Sequence, residues 1–129
     1  MSWEAAVVSR LLLDSAVNSL AGQNVEWDEF APDTVLPAIV LNIISDPRPQ
    51  NYDGFDAFRG TRVQVNSLAK TKAEAVQLRN AAIAALAPAA VHDDTEFLRS
   101  FVDGGGSDAV RVRTERIIRE RADLIIWHN

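Results

Sequence analysis

Cysteine is absent from this chain of 129 residues. Its absence excludes disulfides, thiolate metal sites and cysteine nucleophiles, and nothing in the composition indicates an oxidising compartment. Long apolar runs are also missing, since no stretch approaches the roughly 20 residues that a membrane-spanning helix needs. The first ten residues contain Glu4 where a secretory signal would carry basic side chains, so we expect neither membrane insertion nor export.

Histidine is scarce as well, and the chain contains only His92 and His128. The run His92-Asp93-Asp94 could ligate a metal, but adjacent loop residues lack the spacing of known sites, and His128 is expected to be exposed. The glycines at 104–106 lack the Gly-Lys-Ser/Thr ending of a phosphate-binding loop, and no Gly-x-Ser-x-Gly elbow is present. The sequence therefore predicts a protein that is not an enzyme and has no metal and no cofactor.

What remains is an ordinary globular composition, with 47% hydrophobic and 24% charged residues. A chain of this length buries about two-thirds of its unfolded surface around one core, so residues 1–129 are predicted to form a single domain. The net charge of −5 is uneven, because residues 1–58 carry −7 and residues 59–129 carry +2. Such a dipolar subunit could stack head to tail, unless the two halves intermix in the fold and the asymmetry disappears.

Hydrophobic periodicity and capping residues predict both helices and strands. The stretch 59–86 is the clearest part, because Val63 and Val65 alternate with polar residues and Thr71 and Glu74 have the spacing of a capping box. The predicted helices are 3–20 and 72–87, and the predicted strands are 24–30, 38–45, 60–68, 95–102 and 119–128. This order predicts an α+β fold in which two helices pack on one face of a mostly antiparallel sheet of four to five strands.

Three segments outside these elements carry further features. Residues 50–58 form a turn-rich excursion that joins two antiparallel strands and carries three aromatic side chains. These are Tyr52, Phe55 and Phe58. Residues 103–108 (DGGGSD) are predicted to be a flexible turn, because glycine has no preferred backbone conformation. Residues 109–115 are compatible with a strand and with an ordered loop.

The last strand leaves apolar side chains on its outer face. Alternate residues from Ala122 to Ile126 are predicted to face the core, which places Ile125 and Trp127 on the other side. These two side chains are too apolar for bare solvent, so either more of the chain or a partner is expected to cover them. The aromatic residues of 50–58 raise the same alternatives, a contact with a protein partner or packing on the core.

Five arginines lie between residues 111 and 121. As one extended strand, this segment would place Arg111, Arg113, Arg119 and Arg121 on one side, facing nucleic-acid phosphates or an acidic neighbour such as residues 26–33 of another subunit. Acidic residues within the segment dilute the patch, and the chain is acidic overall, which favours a solvated or intersubunit role over DNA binding. Reversing Arg119 and Arg121 to glutamate is then expected to abolish docking and to leave the monomer folded.

Four segments, in this order, resemble the tail-completion family of long-tailed bacteriophages, which includes tail-terminator and tail-to-head joining proteins. They are a first helix ending at Leu20-Ala21-Gly22, LPAIVLNIIS (36–45), the strand–helix block GTRVQVNSLAKTKAEAVQLRNAAIAAL (60–86) and the closing RADLIIWHN (121–129). Together they span nearly the whole chain. Leu124 departs from the family pattern, in which an aromatic residue often follows the acidic one, and the arginine-rich segment is also not expected from the family.

The resemblance implies a structural virion protein with a single tail-terminator-like domain. Such a protein would form a ring, in the family a hexamer, on the head-proximal end of the tail tube, where it would end tube growth and join tail to head. The implied partners are further copies of itself, the tail tube protein and a head connector or stopper protein, with DNA only passing through the ring lumen. The implied location is the virion tail of a phage or gene transfer agent, assembled in the bacterial host cytoplasm.

The expected interface residues are Tyr52, Phe55, Phe58, Arg111, Arg113, Arg119, Arg121 and Trp127. Two alternative functions stay open at this point. One is a neighbouring head–tail connector or stopper of the neck, which differs only in the partner that it contacts. The other is a small non-enzymatic nucleic-acid-binding domain, which predicts a salt-dependent affinity for DNA centred on the arginines.

Overall fold

The computed structural model describes residues 2–29, 35–48, 50–52, 54–55, 57–112 and 115–129. Within these residues, three helices pack on one face of a seven-stranded sheet, and two further strands form a separate small hairpin. The helices are α1 (Trp3–Leu13), α2 (Ser15–Ala21) and α3 (Lys72–Leu86). The strands are β1 (Val25–Trp27), β2 (Ala38–Ser45), β3 (Gln50–Asn51), β4 (Gly54–Phe55), β5 (Arg59–Ala69), β6 (Ala90–His92), β7 (Thr95–Phe97), β8 (Phe101–Val112) and β9 (Glu115–His128). None of the described helices is long and apolar enough to cross a membrane.

The sheet is larger and more mixed than the predicted one. Its strands are ordered β1-β2-β5-β9-β7-β6, and β8 pairs with β9. β1 runs parallel to β2, whereas the other neighbouring strands of the sheet are antiparallel. The α+β class and the central position of β2 are confirmed. The predicted count of four to five strands was too low, because the sequence analysis missed β6 and assigned most of β8 to a turn and a loop.

The predicted helix over 3–20 is two helices in the structure. Asp14 is extended (φ −72°, ψ 125°) between them, and its carboxylate accepts hydrogen bonds from the backbone N–H groups of Ala16 and Val17, both at 3.1 Å. An aspartate at this position satisfies donors that the first turn of a helix cannot satisfy internally. The apolar spacing continues across Asp14, so periodicity alone did not reveal the break.

Helix α3 begins and packs as the capping residues predict. The Thr71 hydroxyl accepts a hydrogen bond from the N–H of Glu74 at 3.3 Å. The buried residues of α3 are Ala75, Leu78, Ala82 and Leu86. Ile83 of the same helix is only half-buried. The small side chains on this face allow the helix to lie close to β5 and β9.

Strands β8 and β9 form a long hairpin that includes the predicted flexible turn. Pairing runs from Phe101 opposite Ile125 to Val112 opposite Glu115, with a bulge between Val102 and Gly105. Residues 103–108 are therefore part of a strand. A Cβ added to Gly105 would lie 2.6 Å from the carbonyl oxygen of Arg121. The glycine is needed here for close approach of two backbones, rather than for freedom of motion.

The core lies between the helices and the sheet. Most of its sheet-side members come from alternate positions of three strands: Ile39, Leu41, Val63, Val65, Leu124 and Ile126. Val25 of β1 and Phe97 of β7 complete them. The positions of Leu124 and Ile126 confirm the predicted inward face of β9. On the outer face, Ile125 and Trp127 are half-buried, and Trp127 packs over Gly60, where an added Cβ would lie 3.0 Å from its ring. The chain thus covers part of this face itself, and the glycine leaves room for the tryptophan.

Candidate assembly surfaces

His128 is buried, although it was predicted to be exposed. Its ring stacks on Trp3 with centroids 4.1 Å apart, and its Nε2 lies 2.8 Å from Thr61 Oγ1. The Thr61 hydroxyl donates in turn to Asp46 Oδ1 at 2.9 Å, and Arg59 Nε lies 3.0 Å from the same oxygen. The network joins the end of β9 to helix α1 and to the base of the excursion that carries Tyr52.

The buried state of His128 makes the stability of the fold depend on pH. Burial lowers the pKa of His128, and the hydrogen bond to the Asn129 carbonyl and the nearby acids oppose this only in part. Between the lowered pKa and the ordinary value of about 6.5, the unfolded chain binds more protons than the folded chain. The free energy of unfolding is therefore at its full value above about pH 6.5 and falls as the pH drops towards the lowered pKa.

Urea unfolding at about pH 7.5 and pH 5.5 measures this effect. We expect the wild type to lose stability at the lower pH and the His128→Gln variant to lose less, because glutamine does not titrate. His92→Gln serves as a control for the half-buried second histidine. An equal loss in the wild type and in His128→Gln would contradict the assignment.

The arginines of residues 111–121 do not form a one-sided patch. Arg111 lies on β8 opposite Arg116, and Arg119 lies on β9 opposite Asp108. Because side chains alternate between the two faces along each strand, Arg111 and Arg119 are on opposite faces of the hairpin. Arg113 lies outside the described residues. The prediction of a shared side was wrong because it treated two antiparallel strands as one.

Arg119 is ion-paired within the monomer, whereas Arg121 lies against β8 and its buried Nε has no hydrogen-bond partner among the described residues. Arg119 Nε and Nη2 donate to the two carboxylate oxygens of Asp108 at 2.9 and 2.5 Å, and this pair lowers the pKa of Asp108. The Arg121 guanidinium lies over Gly106, where an added Cβ would lie 2.6 Å from Nη2. Reversing Arg119 to glutamate would place two carboxylates opposite each other. The expectation that the Arg119→Glu/Arg121→Glu protein fails to dock but stays folded remains a prediction, although loss of the Arg119–Asp108 ion pair is expected to lower its stability.

Arg62, on β5, binds the bulge of β8 through an ion pair and hydrogen bonds. Its guanidinium contacts the Asp103 carboxylate, donates to the Asp103 carbonyl at 2.7 Å and donates to Asp123 Oδ2 at 3.1 Å. Its hydrogen bonds to the two carboxylates raise the pKa of Arg62. Gly104 beside it has a φ of 115°, a conformation that only glycine adopts without strain. Three neighbouring strands are thus tied together at the bulge.

Glu120 is a buried carboxylate at the base of the hairpin, with 2% of its surface exposed. Arg79 Nη1 of α3 donates to its Oε2 at 3.0 Å, and the Ser107 hydroxyl of β8 donates to its Oε1 at 2.7 Å. Lys72 Nζ lies 3.9 Å away. A buried carboxylate is tolerated when such partners compensate its lost hydration. The sequence analysis did not single out Glu120, although a glutamate on the inward-facing side of β9 is the signal that could have found it.

The distal part of the hairpin projects beyond the rest of the sheet. The last pair between β5 and β9 is Ala69 opposite Ile118. Beyond it, residues 110–112 and 115–117 pair only with each other in the described chain; we call these residues the arm. Arg111 and Arg116 face each other on the arm, both exposed, and neither forms an ion pair with a described residue.

The aromatic residues predicted at interfaces have different surroundings. Tyr52 is fully exposed, between the short paired strands β3 and β4. Phe58 and Trp127 are half-buried, and the side chain of Phe55 lies outside the described part. A contact between these aromatics and a partner stays a prediction.

Exposed charged residues differ between the surfaces near the two ends of β9, and this difference does not follow the two halves of the sequence. At one end lie the exposed cations Lys70, Arg111 and Arg116, near the last β5–β9 pair and on the arm. At the other end the β6–β7 hairpin carries exposed Asp93 and Glu96, beyond the pairing of Phe97 with His128. Arg99, just after β7, and Glu115, on the arm, are also exposed, so the opposite charges belong to these two local surfaces and not to the two ends of the molecule as a whole.

The described residues offer surfaces rather than a reaction centre. No group of three or more histidine or acidic side chains among them could hold a metal ion. The features that remain are a long open hairpin, a polarised charge distribution and exposed aromatics. They are typical of a protein that acts through contacts with other proteins.

Comparison with known proteins agrees with this description. The family described as Tail completion protein gp17 matches residues 5–127. The chain belongs to this family. Thirteen chains of solved structures also match, among them a chain in the virion of a native gene transfer agent (GTA) particle. That chain has a TM-score of 0.65 and 17% identity, over 98% of this chain and 94% of its own length, which shows a shared fold. No curated protein sequence matches.

Membership of the tail completion family confirms the resemblance derived from the sequence. The match runs from α1 into the last strand, so it includes residues of every described helix and strand. The tail completion protein is thus a structural component of a phage-like tail. Its assembly with other tail and head proteins follows from that membership.

Proposed function

We propose that this tail completion protein caps the head-proximal end of the tail tube, ends tube growth and joins the tail to the head. It acts as a ring of copies, a hexamer on the family resemblance. The ring contacts the tail tube protein on one side and a head connector or stopper protein on the other. It assembles in the bacterial host cytoplasm, and DNA only passes through its lumen.

The observation that best supports a ring is the presence of unlike open edges on the sheet. In the described part of the chain, β1 pairs only with β2, β6 only with β7 and β8 only with β9. An open strand exposes unpaired N–H and C=O groups that another chain can use. A ring requires contact between two different patches of each copy, and unlike edges of this kind can supply such a pair.

The edge at β8 also carries exposed apolar side chains. Phe101 and Val102 are 54% and 53% exposed at the start of this strand. Apolar side chains next to an open strand are typical of a surface that a protein partner covers. This supports β8 as the side of the sheet where a neighbouring copy or another tail protein binds.

Electron microscopy of particles from a strain that lacks the gene tests the proposal. We expect overlong tails without heads, because nothing would stop tube growth. Tails of normal length beside unattached heads would assign the protein to the connector side of the joint. Normal infectious particles would refute a role in completing the tail.

The nucleic-acid-binding alternative is not favoured by the arrangement of the arginines. Arg119 is paired with Asp108, and Arg62 with Asp103 and Asp123, so these cations are already neutralised within the monomer. Sequence-independent DNA binding needs several basic side chains that can reach phosphates together. In the described chain only the arm presents closely placed unpaired arginines.

A further inference from the structure

We propose that the arm is a docking element that seats on the β6–β7 hairpin of a neighbouring copy, so that successive copies in the ring join head to tail. The inference rests on the proposed ring and goes further, because it names the two surfaces that meet. The partner that the arm binds is a second copy of this chain, and the contact is between side chains of opposite charge.

The arm has the properties of a segment that needs a partner. Ile117 is buried against Val40 and Leu68, but the rest of the arm is a ribbon of two strands beyond the last β5–β9 pair, and such a ribbon is only marginally stable in water by itself. Arg111 and Arg116 are direct cross-strand neighbours, and like charges in this position destabilise a strand pair. An acidic surface between or against the two guanidinium groups would remove the repulsion.

The unpaired state of these two arginines contrasts with the rest of the molecule. Arg62, Arg79 and Arg119 each form an ion pair with a carboxylate of the same chain. Neither Arg111 nor Arg116 does so within the described residues. Three arginines close to the hairpin are thus paired internally, whereas the two on the arm are exposed and available.

The complementary surface is the β6–β7 hairpin, which lies at the opposite end of β9 from the arm. β9 has 14 residues, so at about 3.3 Å per residue its two ends are roughly 45 Å apart. The β6–β7 hairpin lies at the end away from the arm, and its turn carries exposed acidic residues and no lysine or arginine over residues 90–97. Because the arm presents two exposed arginines and the β6–β7 hairpin presents exposed acidic residues, copies related by rotation can join arm to hairpin until the ring closes.

The charge of the arm also argues for a protein partner over a nucleic acid. Glu115 lies on the arm opposite Val112, on the face away from Arg111 and Arg116. Among its described residues the arm thus presents two arginines, fewer than the several cations that sequence-independent DNA binding needs, whereas two arginines suit an acidic patch on a protein. Binding of DNA is the competing possibility, and the gel-shift measurement below distinguishes it.

The absence of cysteine from the natural chain allows a cross-linking test. Glu115→Cys places a thiol on the arm, and Val91→Cys places one on β6, where the side chain is 71% exposed. The doubly substituted protein is added to tails isolated from the deletion strain and treated with a short bismaleimide. We expect a ladder of covalent multimers. The control pair Glu115→Cys with Ser19→Cys, on exposed α2, should give none.

Charge reversal then tests the contact itself. Adding Arg111→Glu and Arg116→Glu should reduce the ladder by about tenfold, and further addition of Asp93→Lys and Glu96→Lys should restore it. Unchanged thermal unfolding of the Arg111→Glu/Arg116→Glu protein would show that the monomer is still folded. Equal ladders from the two cysteine pairs, or a ladder indifferent to charge reversal, would overturn the proposal.

Two further readouts distinguish the possible failures. Co-sedimentation of wild-type protein with the isolated tails is measured first. If the protein does not bind the tails, the result would count against the proposed function and, with it, against the docking of the arm. Wild-type protein that binds the tails, but shows no arm-dependent ladder, would overturn only the docking of the arm. A gel shift of duplex DNA that is lost on charge reversal, with the ladder unchanged, would assign the arm to nucleic acid.

Discussion

Replacing Gly105 by alanine should destabilise the fold by about 2–3 kcal/mol, whereas the same change at Gly106 should cost less than about 1 kcal/mol. At both positions an added Cβ would lie 2.6 Å from an atom of Arg121, but the atom differs. At Gly105 it is the backbone carbonyl oxygen, which the strand pairing holds in place. At Gly106 it is the end of the guanidinium, which can rotate away.

Thermal unfolding of the two variants measures the difference. For a domain of this size, 1 kcal/mol shifts Tm by roughly 4 °C, so Gly105→Ala should lower Tm by about 8–12 °C. The matched substitution controls for the loss of glycine itself, since both residues lie in β8. If both variants unfold like the wild type, residues 103–108 are a flexible turn after all and the long hairpin is wrong.

Replacing Arg79 by methionine should destabilise the chain by about 2–3 kcal/mol, because the Glu120 carboxylate would stay buried without its principal cation. Arg79 is itself 29% exposed and Glu120 only 2%, so the cost comes mainly from the acid that is left behind. Ser107 would still donate to Glu120, which limits the loss. The effect bears on assembly, since this cluster holds α3 against both strands of the hairpin.

Urea unfolding of the wild type and of three variants separates this effect from simple loss of a positive charge. Lys72→Met is the control, because Lys72 is 71% exposed and 3.9 Å from Glu120, and an exposed pair of this kind contributes less than about 1 kcal/mol. The double variant Arg79→Met/Glu120→Gln should be more stable than Arg79→Met alone, since the unpaired charge is gone. Equal stability of Arg79→Met and Lys72→Met would contradict the role of Glu120.

Much of the fold was predictable because its signals are local. The alternation in β5 and β9 and the Thr71 cap of α3 are set by residues close in sequence, and the structure confirms them. The run from Ala38 to Ser45 was likewise identified as a central strand by its composition. Local propensity and pattern agree with the tertiary arrangement at these places.

The errors fall where a long-range contact overrides a local signal. Glycines at 104–106 indicate a turn by composition, but Arg62 and the backbone of Arg121 hold them in a strand. His128 is the penultimate residue, and only the fold brings it against Trp3 and Thr61. Arg10 donates to the Ala85 carbonyl 75 positions away. No spacing rule within a single sequence predicts such pairs.

The candidate surfaces were predicted in part. The sequence pointed to the arginines of 111–121 and to tail assembly, but not to the difference between Arg119, which is paired, and Arg111, which is not. That difference depends on strand register, which decides the residue opposite each arginine. The family itself was recognisable because its segments keep their order along the chain.

The central claim is that this protein ends the growth of the tail tube, and the length distribution of tails tests it most directly. Tails are measured by electron microscopy in the deletion strain, with and without a plasmid copy of the wild-type gene. The account predicts a broad distribution that extends well beyond the normal length, and a return to a single narrow peak when the plasmid copy is present. A narrow peak at normal length in the deletion strain would contradict it.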